Sequence, residues 1–160
     1  MQNEDEAYMI MAKASATNST CRSRHIGAIL VTMGFKDILY GWNGPPTDVQ
    51  ACIKCPRREV GAKSGERMDL CPAVHAERRP LLMAAKNGCP TEGSTLYAWC
   101  GLPCKDCMVE LIQAGVKRIV CLDDDKFNRK TPTSYNFELS AKLAKEAGIE
   151  VTMMKEKDFA

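Results

Sequence analysis

A long hydrophobic run is absent from this chain of 160 residues. No stretch reaches the about 18 consecutive apolar residues that mark a membrane-spanning helix. The acidic start, MQNEDEAY, also lacks the basic and apolar regions of a secretory signal peptide. These two absences argue against a membrane partner and predict a cytoplasmic protein.

An excess of charge of one sign is also missing. The 22 Lys and Arg residues against 20 Asp and Glu leave a formal net charge of +2. Nucleic-acid-binding proteins concentrate basic charge because their affinity rests on phosphate contacts, so this balance argues against such a partner. With 45% hydrophobic and 26% charged residues and no internal repeat, the composition predicts one globular domain over residues 1–160.

Cysteine, in contrast, is abundant, with nine residues. An odd number without a secretory signal argues against a disulfide framework and favours reduced thiols, some of them metal ligands. Two pairs have the spacing of metal or redox motifs, namely Cys52 with Cys55 and Cys104 with Cys107.

The apolar pattern predicts five strands that alternate with helices in the second half of the chain. The strands are predicted at 26–31, 37–42, 94–99, 117–122 and 149–154. The first two are joined by a short connection that contains Gly34, which predicts a hairpin.

Helices are predicted at 4–16, at 73–87, from 105 to the glycine at 115, and in a segment that ends near 148 after a polar loop up to 134. Alternation of strands and helices predicts right-handed crossovers. The predicted fold is therefore α/β, a three-layer α/β/α sandwich around a five-stranded mixed sheet. Residues 43–73 lack periodicity and are predicted to form a long cysteine-rich loop, which is usually functional or needs a tie of its own.

Two short motifs indicate a metal site. His75-Ala-Glu77 and Pro103-Cys104-x-x-Cys107 are each predicted to begin a helix, and the two cysteines would share a face where the helix dipole favours thiolates. If the helices pack side by side, His75 reaches the same point. One imidazole and two thiolates give zinc three protein ligands and leave a position for water. Glu77 would then carry the water's proton to a leaving amine.

Each motif alone has a plainer interpretation, a redox pair for the cysteines and a helix terminus for His75-Ala-Glu77. Their combination is the signature of zinc nucleobase deaminases. HAE and PCKDC resemble the cytidine/deoxycytidylate deaminase superfamily, and CRSRHIGAILV, YGWNGPP, SGERMDLCPAVHAE and PCKDCMVELIQAGVKRIV resemble its deoxycytidylate deaminases in particular. The resemblance implies hydrolysis of dCMP to dUMP with loss of ammonia, for thymidylate synthesis, by a homo-oligomer, either a dimer or a hexamer.

The resemblance also implies substrate contacts. Asn43 matches an asparagine that contacts the sugar, and the amide of Cys104 is expected near the base carbonyl. Ser23, Arg24 and His25 lie in the segment on the phosphate side.

The chain departs from the family pattern after the glutamate. Arg79 and Pro80 stand where these deaminases have Asn and a small residue. Pro80 is expected about one turn into the helix, where it would bend the axis. Arg79 is predicted to reach a phosphate or a partner subunit, and the alternative is a solvated surface residue. In YAWCGLPC, Trp99 or Cys100 is expected to reshape the wall near the base.

A second, structural zinc site is predicted in the cysteine-rich loop, as some deoxycytidylate deaminases have. Cys52, Cys55 and Cys71 would supply three ligands and Cys21 the fourth. Two alternatives stay open, a cluster completed by His75 and a set of free thiols.

The departures also leave the substrate open. A modified dCMP, dCTP, a purine nucleotide and tRNA adenosine are alternatives to dCMP. A third class of function is a catalytically silent zinc scaffold that has kept the deaminase fold.

Overall fold

Five strands form one mixed sheet in the computed structural model, which describes residues 3–123 and 134–159. The strands are β1 (Gly27–Val31), β2 (Ile38–Trp42), β3 (Thr95–Ala98), β4 (Arg118–Leu122) and β5 (Glu150–Met154). Their order is β2-β1-β3-β4-β5. Strand β1 is antiparallel to both β2 and β3, whereas β3, β4 and β5 run parallel. The predicted five-stranded mixed sheet with its opening hairpin is confirmed.

Helices cover both faces of this sheet, as the α/β/α prediction requires. They are α1 (Glu4–Ser15), α3 (Arg79–Asn87), α4 (Lys105–Gln113) and α5 (Phe137–Glu146), while the short α2 (Pro56–Glu59) lies in the long loop after β2. Alternate strand residues face opposite layers, so Ile29 packs with Met9 of α1, while Leu30 belongs to the cluster that contains Met108 of α4. None of the described helices combines the length and the apolar character that a membrane-spanning helix needs.

The helix predicted at 73–87 begins later, at Arg79. Val74 and Gly44 exchange main-chain hydrogen bonds of 2.8 and 3.2 Å, which hold the chain extended just before His75. A turn follows, closed by the Arg79 amide on the His75 carbonyl at 3.1 Å. The His75-Ala-Glu77 motif therefore lies in the turn that leads into α3.

Pro80 is consequently the second residue of α3 and not one turn inside it, so the expected bend is absent. Its ring and the carbonyl of Ala76 lie against Gly41 of β2. A Cβ atom at Gly41 would come within 2.2 Å of the Ala76 oxygen and 2.6 Å of Pro80 Cδ. The glycine thus permits the motif to approach the sheet closely.

The cysteine-rich loop is held by a buried arginine inside it. It contains α2 and a short 3₁₀ helix at Met68–Leu70. Arg57, 5% exposed, donates to the carbonyls of Glu66 at 2.7 Å and Lys63 at 3.0 Å. The predicted loop therefore has the internal tie that its length demands. Most of the polar loop predicted before 134 lies outside the described residues.

Candidate metal centre and active-site pocket

Three metal-binding side chains converge beyond the carboxyl end of β3. His75 Nδ1 lies 3.5 Å from Cys104 Sγ and 3.3 Å from Cys107 Sγ. Within residues 3–123 and 134–159, this is the one group of three or more His, Cys, Asp or Glu side chains whose ligand atoms all lie within 4.8 Å of one another. One ring nitrogen and two sulfurs are ligands that zinc prefers. The donor set therefore fits a zinc ion with three protein ligands.

The start of α4 presents both sulfurs. Cys104 is the extended residue that caps the helix, and Cys107 lies in its first turn. The Met108 amide donates to the Cys104 carbonyl at 2.8 Å, which closes this turn and turns the two thiols to one side. Unpaired amides at a helix start favour negative charge, so they favour thiolates here.

The three side chains of the cluster shift one another's pKa values. A hydrogen bond from Cys107, then one from His75, lowers the pKa of Cys104 to about 4, and the same contact with Cys104 raises the pKa of Cys107. The hydrogen bond with Cys104 also raises the pKa of His75. A cation that binds here would replace these protons, which is the usual behaviour of a zinc site.

Glu77 lines the same pocket as His75 and Cys104 and is 6% exposed. Burial raises the pKa of its carboxyl group. A carboxyl whose pKa is raised toward neutrality can both accept and release a proton, which a shuttle requires. Its Oε1 atom lies 3.7 Å from Cys100 Sγ.

Asn43 also lines this pocket, and its amide holds the first segment of the wall. Its Oδ1 accepts from the Ser19 hydroxyl at 2.6 Å and from the Ile26 amide at 2.8 Å. Its Nδ2 donates to the Arg24 carbonyl at 2.9 Å. Asn43 thus stabilises the pocket wall, while its predicted contact with a sugar stays a prediction.

Two of the three residues predicted on the phosphate side line the pocket. Ser23 and Arg24 line the pocket, whereas His25 is exposed and is not among its lining residues. Ser23 Oγ accepts from Arg58 at 3.1 Å. Arg24 lies 5.3 Å over the Tyr135 ring and donates to its hydroxyl at 2.7 Å. Basic side chains are therefore present at the Ser23 side of the pocket.

Arg79 is not placed as the sequence predicted. It is 7% exposed and is not among the pocket's lining residues. Its guanidinium donates to the carbonyls of Trp42 at 2.8 Å, Gly44 at 3.0 Å and Pro45 at 3.1 Å, and lies 5.0 Å over the Trp42 ring. The side chain binds the segment after β2, because its rigid fork of donors matches several carbonyls at once.

The cysteines predicted for a second zinc are not assembled. Cys21 and Cys71 line the main pocket, whereas Cys52 and Cys55 do not. In the described ranges no three of these thiols lie within 4.8 Å of one another. Cys21 Sγ instead accepts from the Ser23 amide at 3.4 Å. A structural zinc bound by these four residues stays a prediction that this arrangement does not support.

Two aromatic lining residues, Tyr135 and Phe137, were not predicted as pocket residues. The Tyr135 ring lies 6.4 Å from that of His75 and 5.6 Å from that of Phe137. A signal existed, since the carboxyl ends of parallel strands β3 and β4 meet at one edge and residues after them form binding sites. Of the two residues expected near the base, Cys100 lines the pocket, while Trp99 packs on Phe159 at 5.2 Å.

An α/β/α sandwich with a His-Cys-Cys cluster and a buried glutamate defines the class of zinc-binding deaminase-like domains. Residues 2–123 match the family model of the cytidine and deoxycytidylate deaminase zinc-binding region. The chain belongs to this family.

The chain is similar to several deoxycytidylate deaminases. It is 32% identical to that of Schizosaccharomyces pombe over 151 residues, which covers 92% of this chain and 42% of the relative. It is 34% identical to that of Mycobacterium phage D29, over 72% of this chain and 91% of the relative. The chain thus spans about two fifths of the yeast relative's length.

Solved structures give the same picture. The crystal structure of dCMP deaminase from cyanophage S-TIM5 in complex with dCMP and dUMP aligns with a TM-score of 0.70 and 30% identity. The alignment covers 96% of this chain and 99% of that chain. The described residues therefore have the same fold as this neighbour.

Proposed function

We propose that the protein is a zinc-dependent dCMP deaminase, which converts dCMP and water to dUMP and ammonia and so supplies dUMP for thymidylate synthesis. The observation that carries this proposal is the cluster of His75, Cys104 and Cys107, of which His75 and Cys104 line one pocket together with the buried Glu77. The names of the similar proteins support dCMP as the substrate.

His75, Cys104 and Cys107 would hold the zinc ion. When bound, zinc supplies the Lewis acidity that makes a water molecule nucleophilic near neutral pH. Glu77 accepts one proton of this water on a carboxylate oxygen and delivers it to the ring nitrogen, and it then carries the second proton, from the newly formed hydroxyl group, to the departing amine. Its buried position excludes bulk water, so the proton stays within the pocket.

In this proposal, different pocket residues contact the base, the sugar and the phosphate of the nucleotide. The base enters between the cluster and Tyr135, with its carbonyl at the amide of Cys104. Asn43 contacts the sugar, and Ser23 and Arg24 contact the phosphate, where Arg58 adds positive charge. We assign no substrate contact to His25 or Arg79, since neither is among the residues that line the pocket.

We also propose that the protein works as a homo-oligomer, either a dimer or a hexamer. Exposed apolar side chains on the outer surface of the α3 and α4 layer support this assembly; they are Leu82, Met83 and Val109. Sedimentation or light scattering of the zinc-loaded protein would give its mass, and a monomer at micromolar concentration would contradict the proposal.

The test is ammonia release by zinc-loaded protein across a panel of dCMP, CMP, dCTP, 5-substituted dCMP, dAMP and a tRNA. We expect dCMP to have the highest kcat/KM and a chelator to abolish turnover until zinc is restored. Glu77→Gln should lower kcat by about 10² to 10⁴-fold while zinc content stays unchanged, since this is the usual contribution of a general acid or base.

Faster turnover of another panel member would reassign the substrate without removing the mechanism. Zinc-loaded protein that releases no ammonia from any of them would favour the silent scaffold instead.

A further inference from the structure

Cys100 is a buried thiol that the proposed reaction has not yet used. It follows β3 by two positions and is 4% exposed. Its Sγ lies 3.7 Å from Glu77 Oε1 and 3.3 Å from the Gly101 carbonyl oxygen. Both acceptors are within range of the single thiol proton.

The thiol is held in place by the sheet. The Leu122 amide of β4 donates to the Cys100 carbonyl at 2.7 Å, and the preceding Trp99 amide donates to the Gly27 carbonyl of β1 at 2.8 Å. These two main-chain contacts join the backbone of Trp99 and Cys100 to β1 and β4. The Cys100 side chain therefore presents its proton from a rigid support.

Glu77, in contrast, lies in the turn before α3 and needs an external contact to orient its carboxylate. Within the described part of the chain, Cys100 is the one side chain that hydrogen-bonds to it. Burial keeps the pKa of the Cys100 thiol well above its ordinary value, so the sulfur retains its proton and acts as a donor. A charged acceptor strengthens even a weak donor's hydrogen bond.

We propose that Cys100 is a positioning residue for the deamination, one that holds the Glu77 carboxylate in the orientation needed for proton transfer. This inference rests on the proposed function. The Gly101 carbonyl offers the thiol a second acceptor, which helps to fix the direction of the Cys100 side chain.

Three variants separate positioning from packing. Cys100→Val keeps a side chain of similar size but removes the hydrogen-bond donor. Cys100→Ala removes both the donor and most of the side-chain volume. Cys100→Ser keeps a hydrogen-bond donor. Cys121→Ala is the matched control, because Cys121 is also a fully buried thiol but makes no hydrogen bond to Glu77.

We expect kcat with dCMP to fall about tenfold or more in Cys100→Val and Cys100→Ala, the usual effect of losing a hydrogen bond to a charged group. KM and zinc content should stay within about twofold of wild type, because ground-state binding is untouched. Cys100→Ser should recover most of the lost kcat, and Cys121→Ala should leave kcat within about twofold. Wild-type kcat in Cys100→Val, or an equal fall in Cys100→Ser, would overturn the proposal.

A second measurement does not depend on turnover. The infrared S–H stretch of Cys100, isolated as the difference between wild type and Cys100→Ala, should move to higher frequency in Glu77→Gln, because an amide oxygen is a weaker acceptor than a carboxylate. A band that Glu77→Gln leaves unmoved would overturn the proposal. Inactive wild-type protein would contradict the proposed function alone, and the band would still decide whether Cys100 holds Glu77.

Discussion

At the scale of single residues, the candidate metal ligands could be predicted from the sequence, because few residue types bind a metal ion. The motifs predicted that His75, Cys104 and Cys107 would meet, and their ligand atoms do lie within 4.8 Å of one another, while zinc binding by these residues stays a prediction. The position of Arg79 was not predicted, because the partners of an arginine depend on the tertiary fold. Its three acceptors are main-chain carbonyls, which no residue name in the sequence reveals.

We expect Arg79→Ala to destabilise the fold and not to act through substrate binding. The change leaves three carbonyls without their charged donor, so we expect a loss of about 3 kcal/mol in the free energy of unfolding. Arg79→Lys should recover little, because one ammonium cannot match the forked geometry. Urea unfolding measures both, with exposed Lys86→Ala as the control. If Arg79→Ala instead kept full stability and raised KM for dCMP, Arg79 would be a substrate contact.

At the scale of elements, strand and helix identities followed from the apolar periodicity, while one helix boundary did not. The start of α3 is delayed because Val74 pairs with Gly44, a main-chain contact across the long loop that periodicity cannot show. The close approach at Gly41 is equally invisible in the sequence. It depends on how closely the turn of residues 75–78 packs against β2 at Gly41.

Gly41→Ala should therefore disturb the metal centre from outside the pocket. The new Cβ would collide with the Ala76 oxygen and the Pro80 ring. Forcing the turn away costs about 1–3 kcal/mol and should displace His75, which lowers zinc affinity as well as stability. Zinc titration by calorimetry, together with thermal unfolding, measures the two effects.

Gly61→Ala is the control for Gly41→Ala, since Gly61 has φ +74° but no atom within 4 Å of a Cβ. It should lower stability by about 1 kcal/mol from backbone strain and leave zinc affinity unchanged. Equal zinc affinities in Gly41→Ala and Gly61→Ala would contradict the role assigned to the close approach.

At the scale of the whole molecule, layer order was predictable because buried strands alternate with helices, whereas the contacts that join layers were not. Helix α1 is joined to the sheet by Asp5, which accepts two hydrogen bonds of 2.7 Å from Arg118 and one of 3.0 Å from Tyr97. These residues are separated by 113 and 92 positions, so only the folded chain brings them together.

Stability at low pH should depend on this contact. The hydrogen bond with Arg118 lowers the pKa of Asp5 below its ordinary value of 3.8. Because the folded pKa lies below the unfolded one, the contribution is complete above the unfolded pKa and is lost as pH falls through the folded pKa. The Tm of wild type should thus fall more steeply below about pH 4 than that of Asp5→Asn.

Exposed Glu4→Gln, one position earlier in α1, is the control for Asp5→Asn and should follow the wild-type curve. Scanning calorimetry between pH 7 and pH 3 gives the three profiles. Parallel curves for wild type and Asp5→Asn would show that the contact with Arg118 has no net effect on stability.

The centre draws its ligands from two segments that dock separately on the same face of the sheet. An ion that binds only this docked form stabilises it by mass action, so the folded fraction rises with free zinc. Metal supply would then govern how much of the protein survives proteolysis in a cell.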